Sequence, residues 1–400
     1  MTCRRFTGFL LFASVALAAP HVTAQDAPAF DPAQPYQARR ANPVTYQVDL
    51  SAVVTAPYHT KTLKVWLPIP QSDAAQEVTK GELSTFPMRV EPQLATESKF
   101  SNRFAYFEFD HPEGAQIIRH RFQVKVWELH WDVDPTKVIA VRKWPDSFAP
   151  FLRSECQAVV INEGMTKLLG EILPQRTSGF QDLALVMRWV DSHFTYDHVR
   201  ASLQASSIHA FEQHRGHCSD YHGFCAAMGR AIGYPTRVTY GINPFPKNSP
   251  SHCKLEVFLP PYGWVSFDVS DTQKLATTIH NETTLTETAR EKLVTAASQR
   301  LQRGFRDNTW FLQTRGTDYD LVPPASRRVA VVRTIYAEAD GQPLPEPDPS
   351  AAGRHEFSWM TVHKYVPDRA VTYPFKDWRS LEVETTQITT DDPGHSKEQQ

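Results

Sequence analysis

Beyond its N-terminus the 400-residue chain has no run of about 18 apolar residues, which leaves no second candidate for a membrane span. It has no charge excess either. Its 42 basic and 44 acidic residues give a formal net charge of −2 and a pI near 6.8, removing the electrostatic case for nucleic acid or an anionic membrane surface as partner. Cysteine is scarce, five residues in all, and a chain of this length can hold a core without disulfide staples. Chemistry is therefore a serious reading for at least one thiol. No Cys-x-x-Cys pair is present, and no Asp/Asn-rich loop closed by a glutamate offers a calcium site. No metal or other cofactor is expected, and no internal repeat is visible.

What is present begins with Arg4-Arg5 ahead of an apolar stretch, 6–19, too short to span a bilayer, with small residues at Val22 and Ala24 before Gln25. Residues 1–24 are expected to be a secretory signal peptide, an uncleaved anchor being the alternative. Cys3 precedes the apolar stretch, so no lipoprotein cysteine is in place. The mature chain is expected to be periplasmic or secreted, without stable membrane insertion. Residues 25–42, rich in Pro, Ala, Gln and Asp without periodicity, read as a flexible leader.

From 44 to 129 apolar and polar residues alternate, as in Leu63-Lys64-Val65-Trp66-Leu67, and Pro, Gly and Ser divide the runs. That period predicts half-buried antiparallel strands and a β-sandwich domain over 43–133. Near Asp134-Pro135 the spacing turns helical, with Leu183, Leu185, Val186, Trp189 and Val190 inside 180–194. A helix over 218–232 and strands over 236–240, 252–259 and 263–269 complete an α+β domain over 134–275. A polar helical stretch from about 272 to 303 and alternating residues such as 328–333 form a C-terminal extension over 276–385. The Pro-rich loop 343–349 and the tail 386–400 are expected to be mobile.

The informative segment is Gly216-His217-Cys218-Ser219-Asp220. Gly216 can make a tight turn, and Ser219-Asp220 put an acid in a first helical turn. Tyr221, Phe224, Cys225, Met228 and Ile232 then form a buried stripe that Gly233 and Pro235 end. Cys218 therefore opens a helix, where free N–H groups and the helix dipole favour the thiolate and can stabilise an oxyanion. The alternative is a small core residue. Cys225 and Cys253 read as core thiols, either of which Cys156 could reach as a disulfide partner.

Downstream, the strand 252–259 places Cys253, Leu255, Val257 and Leu259 on one face and His252, Lys254 and Glu256 on the other. The strand 263–269 places Val265, Phe267 and Val269 opposite Trp264, Ser266 and Asp268. Pro260-Pro261-Tyr262-Gly263 joins them as a hairpin. With both apolar faces in one core, odd positions match odd positions, so His252 and Asp268 share a face. Asp271 would point the other way if the strand continued that far. A carboxylate beside a histidine orients it and fixes its tautomer.

GHCSDYHGFCAAMGRAIGYPTRVTYG followed by HCKLEVFLPPYGWVSFD resembles the core of transglutaminase-like proteins, over about 194–271. The shared pattern is a cysteine opening a helix, a Gly-x-Pro-x-Arg strand entry, a histidine opening a strand, and an aspartate just after Gly-Trp. Weaker likeness to bacterial exported members extends into the β-sandwich leader and the stretch 315–324. The resemblance implies a papain-like fold with Cys218 as nucleophile, His252 as base and Asp268 as orienting acid. Lys254 departs from the pattern, since many members carry an aromatic two places after the histidine. The expected activity is cleavage of protein or peptide amides, cell-wall peptides included, through a thioacyl intermediate, with hydrolysis favoured over amine transfer. Two other readings are a catalytically silent binding scaffold and a zinc site drawn from His214, His217, Cys218, His222, His252 and Cys253. Individually, His214, His217 and His222 read as surface or substrate-groove residues.

Overall fold

The computed structural model describes residues 30–79, 81–177, 179–246, 250–346 and 358–381. The expected signal peptide, the first residues of the leader, the end of the 343–349 loop and the tail lie outside the described residues. Among the described residues no helix is long and apolar enough to cross a membrane.

The alternating stretch folds as β1 (Arg39–Thr55), β2 (Thr62–Pro68), β3 (Gln76–Val78), β4 (Glu82–Phe86), β5 (Gln93–Thr96), β6 (Arg103–Asp110) and β7 (Ala115–His130). In β1 Tyr46, Val48, Leu50, Ala52 and Val54 are buried while the residues between them stay partly open, the period a pleated strand imposes. They meet Leu63, Val65 and Leu67 of β2 and Phe107 and Phe109 of β6 in one core between two sheets. The opposite face of β2 is covered too. Trp66 packs with Phe104, Tyr106, Tyr319, Leu321, Val329 and Val332, and its indole N–H donates to the Pro323 carbonyl at 2.9 Å. The residues 328–333, expected as a strand, make only a single bridge, Val329 to Tyr319. Their valines are spent on covering the Trp66 face, not on extending a ladder.

The middle of the chain supplies α1 (Ala149–Leu152), α2 (Glu163–Ile172), α3 (Phe180–His193), a short parallel pair of β8 (Thr195–Tyr196) with β9 (Arg215–Gly216), α4 (Ser207–Gln213) and α5 (Cys218–Ile232). Next come β10 (Thr236–Ile242), β11 (Ser251–Leu259), β12 (Gly263–Phe267), α6 (Val269–Asn281), α7 (Glu287–Arg303), β13 (Phe305–Arg306) and β14 (Phe311–Arg315). The core sheet is antiparallel in the order β12-β11-β10-β14, and α5 packs on β10 and β11 with α3, α4 and α6 around it. Every residue of α5 from Cys218 to Arg230 is buried. It is a central helix, not one with a single buried stripe.

The segment after 276 supplies strands to three sheets. β14 extends the core sheet, while β15 (Tyr336–Ala339) pairs with β2, β16 (Gln342–Pro343) with β15, β13 with β7, and β17 (Trp359–Pro367) with β1. Three local expectations change. The leader is ordered before its expected end: Tyr36 is buried, its hydroxyl donates to Glu256 at 2.6 Å, and β1 starts at Arg39. The strand expected over 263–269 stops at Phe267, because Asp268 caps α6 by accepting from the Asp271 N–H. The polar helical stretch is two helices with a break between Asn281 and Glu287.

Phe107 is fully buried in the sandwich core. Phe107→Ala is expected to cost about 3–5 kcal/mol, read as a lower urea midpoint with an unchanged slope.

Candidate active site

The first wall of the site is the start of α5. Gly216 precedes it at φ 151°, and a Cβ there would lie 2.3 Å from a carboxylate oxygen of Asp220, so a side chain does not fit. Asp220 closes a capping box: it accepts from the His217 N–H at 3.1 Å, while the His217 ring accepts from the Ser219 N–H at 3.3 Å. Asp220 also takes the Ser202 hydroxyl and N–H, tying the preceding loop to the helix. The N–H groups that follow Cys218 are used: Ser219 donates to the His217 ring, and Asp220 and Tyr221 donate to the His217 carbonyl at 3.0 and 3.2 Å. The Cys218 N–H itself sits in the first helical position, with no carbonyl one turn back to accept it. Cys218 keeps 8% of its surface open, against 0% for Cys225 and Cys253, so it is the thiol of the three that solvent can reach.

The second wall is the β11–β12 hairpin and the start of α6. The ladder pairs Leu255 with Phe267 and Val257 with Val265, odd with odd, and β11 begins at the mouth of the sheet. His252 Nε2 lies 2.7 Å from Asp268 Oδ2. Asp271 is also there, 3.4 Å from the same nitrogen. The sequence expectation that it would face away required a continuing strand. Because the helix begins at Val269, a spacing of three returns Asp271 to the side of Asp268. Lys254 Nζ reaches Asp268 at 2.6 Å and Asp307 at 2.9 Å, and Lys274 Nζ reaches Asp271 at 2.8 Å.

Cys218 lies close enough to Cys253 and His252 for both to shift its titration. Nε2 of His252 is engaged by the carboxylates, which leaves Nδ1 for the thiol. The Cys253 thiol first, and then His252 and His217, hold Cys218 well below the ordinary thiol range against the opposing effect of burial. Burial disfavours charge on His252, but Asp268, Asp271 and Cys218 outweigh it and push the imidazole up to about 9. Asp268 is held well below the usual carboxylate range because His252 and Lys254 overcome its desolvation. These shifts together favour a thiolate against an imidazolium with the Asp268 carboxylate behind it.

Residues 167–269 match the transglutaminase-like superfamily. That segment is a transglutaminase-like core. Among solved structures, a candidate cysteine protease from Cytophaga hutchinsonii aligns with a TM-score of 0.54 at 13% identity, over 86% of this chain and 97% of that one. The periplasmic domain of TgpA from Pseudomonas aeruginosa aligns at 16% identity over 60% of this chain and 91% of that one, with a TM-score of 0.31. No curated protein matches the chain. The Cytophaga likeness speaks for the fold. Within the transglutaminase-like core the departure at Lys254 has a structural counterpart: its ammonium stands over the Trp310 and Phe375 rings, and the Trp310 indole N–H donates to the His252 carbonyl at 3.1 Å. Aromatic packing near the histidine thus comes from outside β11.

Among the described residues, the six of the zinc reading do not form a metal-ligand cluster. His214 stacks on Phe194 and faces Trp189, His217 caps α5, and His222 is fully buried between Cys253 and the Val269 N–H. Of the expected surface or substrate-groove positions, the surface one is excluded for His217 and His222, which are buried because α5 is enclosed on all sides. The donor set that does cluster among the described residues is His252, Asp268 and Asp271. Lysine ammonium groups already neutralise both carboxylates, so these residues do not fit a cation. Cys156, Cys218, Cys225 and Cys253 are all free thiols. Sequence reasoning missed Asp271 and Asp307. The spacing Asp268-Val269-Ser270-Asp271 is an N-cap signal that could have revealed the first.

Two outcomes follow from these charges. Lys254→Met leaves Asp268 and Asp307 with one buried cation fewer and is expected to cost about 3–5 kcal/mol of unfolding free energy, measured in urea at neutral pH. His252, raised from 6.5 to about 9, contributes stability that is complete below 6.5 and is lost as pH rises through 9. Cys218, depressed from 9.0, gives the opposite slope below that value. In Cys218→Ala only the histidine slope remains. Its urea stability is expected to fall between pH 6.5 and 9, a fall absent from the Cys218→Ala/His252→Gln double variant.

Proposed function

We propose that the protein is an exported cysteine enzyme that cleaves amide bonds of proteins or peptides, cell-wall peptides among them, through a thioacyl intermediate. The observation that carries this reading is Cys218 at the start of a buried helix, its thiol held below the ordinary range by Cys253 and by a His252 that Asp268 holds at 2.7 Å. The Cys218 thiolate attacks the amide carbonyl. The Cys218 N–H stabilises the oxyanion, and His252, already protonated, gives its proton to the departing amine. Asp268 holds the ring and its charge through that transfer, with Asp271 beside it. Water then attacks the thioester with His252 as base, releasing acid product and thiolate.

Hydrolysis is favoured over transfer to an amine on electrostatic grounds. The charges of Lys274 and Arg333 both act on Cys218 and disfavour approach of a protonated lysine side chain. The export reading rests on the N-terminal sequence pattern. The Cytophaga hutchinsonii structure of the same fold is itself described as a candidate cysteine protease.

The test incubates wild type and Cys218→Ala with a peptide library, with and without a fluorescent primary amine, and reads products by mass spectrometry. Cleaved peptides that depend on Cys218 are expected, with little amine incorporated. Amine-labelled peptides as the main product would replace hydrolysis by acyl transfer. No Cys218-dependent product of either kind would favour a binding scaffold.

A further inference from the structure

His252 stands near the start of its strand, where the sheet supports it from one side. The β11–β12 ladder begins only at Leu255 with Phe267, so the residue paired with His252 is Gly241 of β10. The ladder from β10 to β14 slips by one residue at that glycine, with Tyr240 opposite Thr314 and Gly241 opposite Leu312. Such a slip re-aims the side chains beside it. A Cβ on Gly241 would lie 2.5 Å from the Trp310 indole and 2.1 Å from the Phe311 carbonyl oxygen, so the indole rests directly on the residue opposite His252.

Trp310 is fully buried, and its N–H donates to the His252 carbonyl at 3.1 Å. Its ring also meets two cations. The Lys254 ammonium, which pairs with Asp268 at 2.6 Å, stands 5.4 Å from the ring centroid. The Arg306 guanidinium stands at 4.6 Å. Arg306 is fully buried, donates from Nη2 to Gln76 at 3.1 Å, and has no hydrogen-bond partner for Nε or Nη1 among the described residues, so the aromatic face is a main compensation for its charge. The turn that carries the indole is tied down on both sides. Asp307 reaches Lys254 at 2.9 Å, Asn243 donates to the Thr309 carbonyl at 3.0 Å, and Gln76 accepts the Leu312 N–H at 2.7 Å.

We propose that Trp310 is a positioning residue for the base: its N–H fixes the backbone of His252, and its ring seats the lysine that neutralises Asp268. One buried side chain thereby sets both members of the His252–Asp268 pair. The proposal rests on the reading of Cys218 and His252 as a working pair. Trp310 touches no substrate, since it is fully buried, and acts through the placement of the imidazole. The charged or titratable groups around His252 are Asp268, Asp271, Lys254 and His222. Substituting Trp310 changes none of them. Without the indole N–H the His252 carbonyl is left buried and unpaired, the strand end shifts to find another donor, and the imidazole moves with it.

The experiment follows iodoacetamide alkylation of Cys218 against pH by peptide-resolved mass spectrometry, in wild type, Trp310→Phe and Phe107→Ala. That readout separates Cys218 from the exposed Cys156 and needs no substrate. Trp310→Phe keeps an aromatic ring and loses the donor. Its midpoint is expected to rise by about 0.7 pH unit, about fivefold in thiolate fraction, which is the effect of one hydrogen bond. The rate at the alkaline plateau is expected to rise no more than about twofold. Phe107→Ala, destabilised in the sandwich core, is expected to keep the wild-type profile, which separates positioning from a general loss of stability. Trp310→Met, flexible enough to fill the space without a donor, takes the place of Phe if that variant fails to fold. A wild-type profile in the variant without the donor, or an equal shift in Phe107→Ala, would overturn the proposal while leaving the Cys218–His252 pair intact. A wild-type Cys218 that reacts no faster than free cysteine near neutral pH would overturn both.

Discussion

The structure depends on how charge is kept inside it. A thiolate, an imidazolium, carboxylates and a lysine lie together in a region almost closed to water, and each is tolerable only because its neighbours carry the opposite charge. Lys254 stands between Asp268 and Asp307, His252 between Asp268 and Cys218, and Lys274 against Asp271. Removing any one leaves an uncompensated partner. This explains why so much of the chain is devoted to a small site: α5 supplies Cys218, β11 supplies His252 and Lys254, the cap and first turns of α6 supply Asp268, Asp271 and Lys274, and the turn after β13 supplies Asp307.

The scaffold provides the enclosure. α5 is surrounded by α3, α4, α6 and the core sheet, so its first residue is presented at the only end of the helix that meets the mouth of β11. The sandwich contributes less directly. Its second sheet is covered on the outer face by 319–332, and the same part of the chain continues to Arg333, whose charge acts on Cys218 and whose guanidinium pairs with Glu346 at 2.8 Å. The two layers are thereby joined through one stretch of backbone.

Much of this was legible from local pattern. Alternation predicted β1, β2 and β7, and capping residues predicted α5 from Cys218 to Ile232 and its stop at Gly233, which is left-handed at φ 113°. Local pattern failed where it was extrapolated past an element's end. Asp271 was assigned by strand period, but the backbone there is helical. The valines at 329–332 alternate with nothing that pairs, because a distant sheet needed covering.

By itself, then, the sequence determined which residues open α5 and β11 and which face His252 and Asp268 share, since caps and pleat period are local properties. Tertiary structure alone decided that Cys253, placed by that same period on the far side of its strand, meets His222 of α5 at 3.5 Å. It also decided that Asp271, Lys254 and Asp307 converge on His252 and Asp268. The physical reason is that both follow from how helix ends sit against a sheet end, a relation between separate segments that no local period encodes.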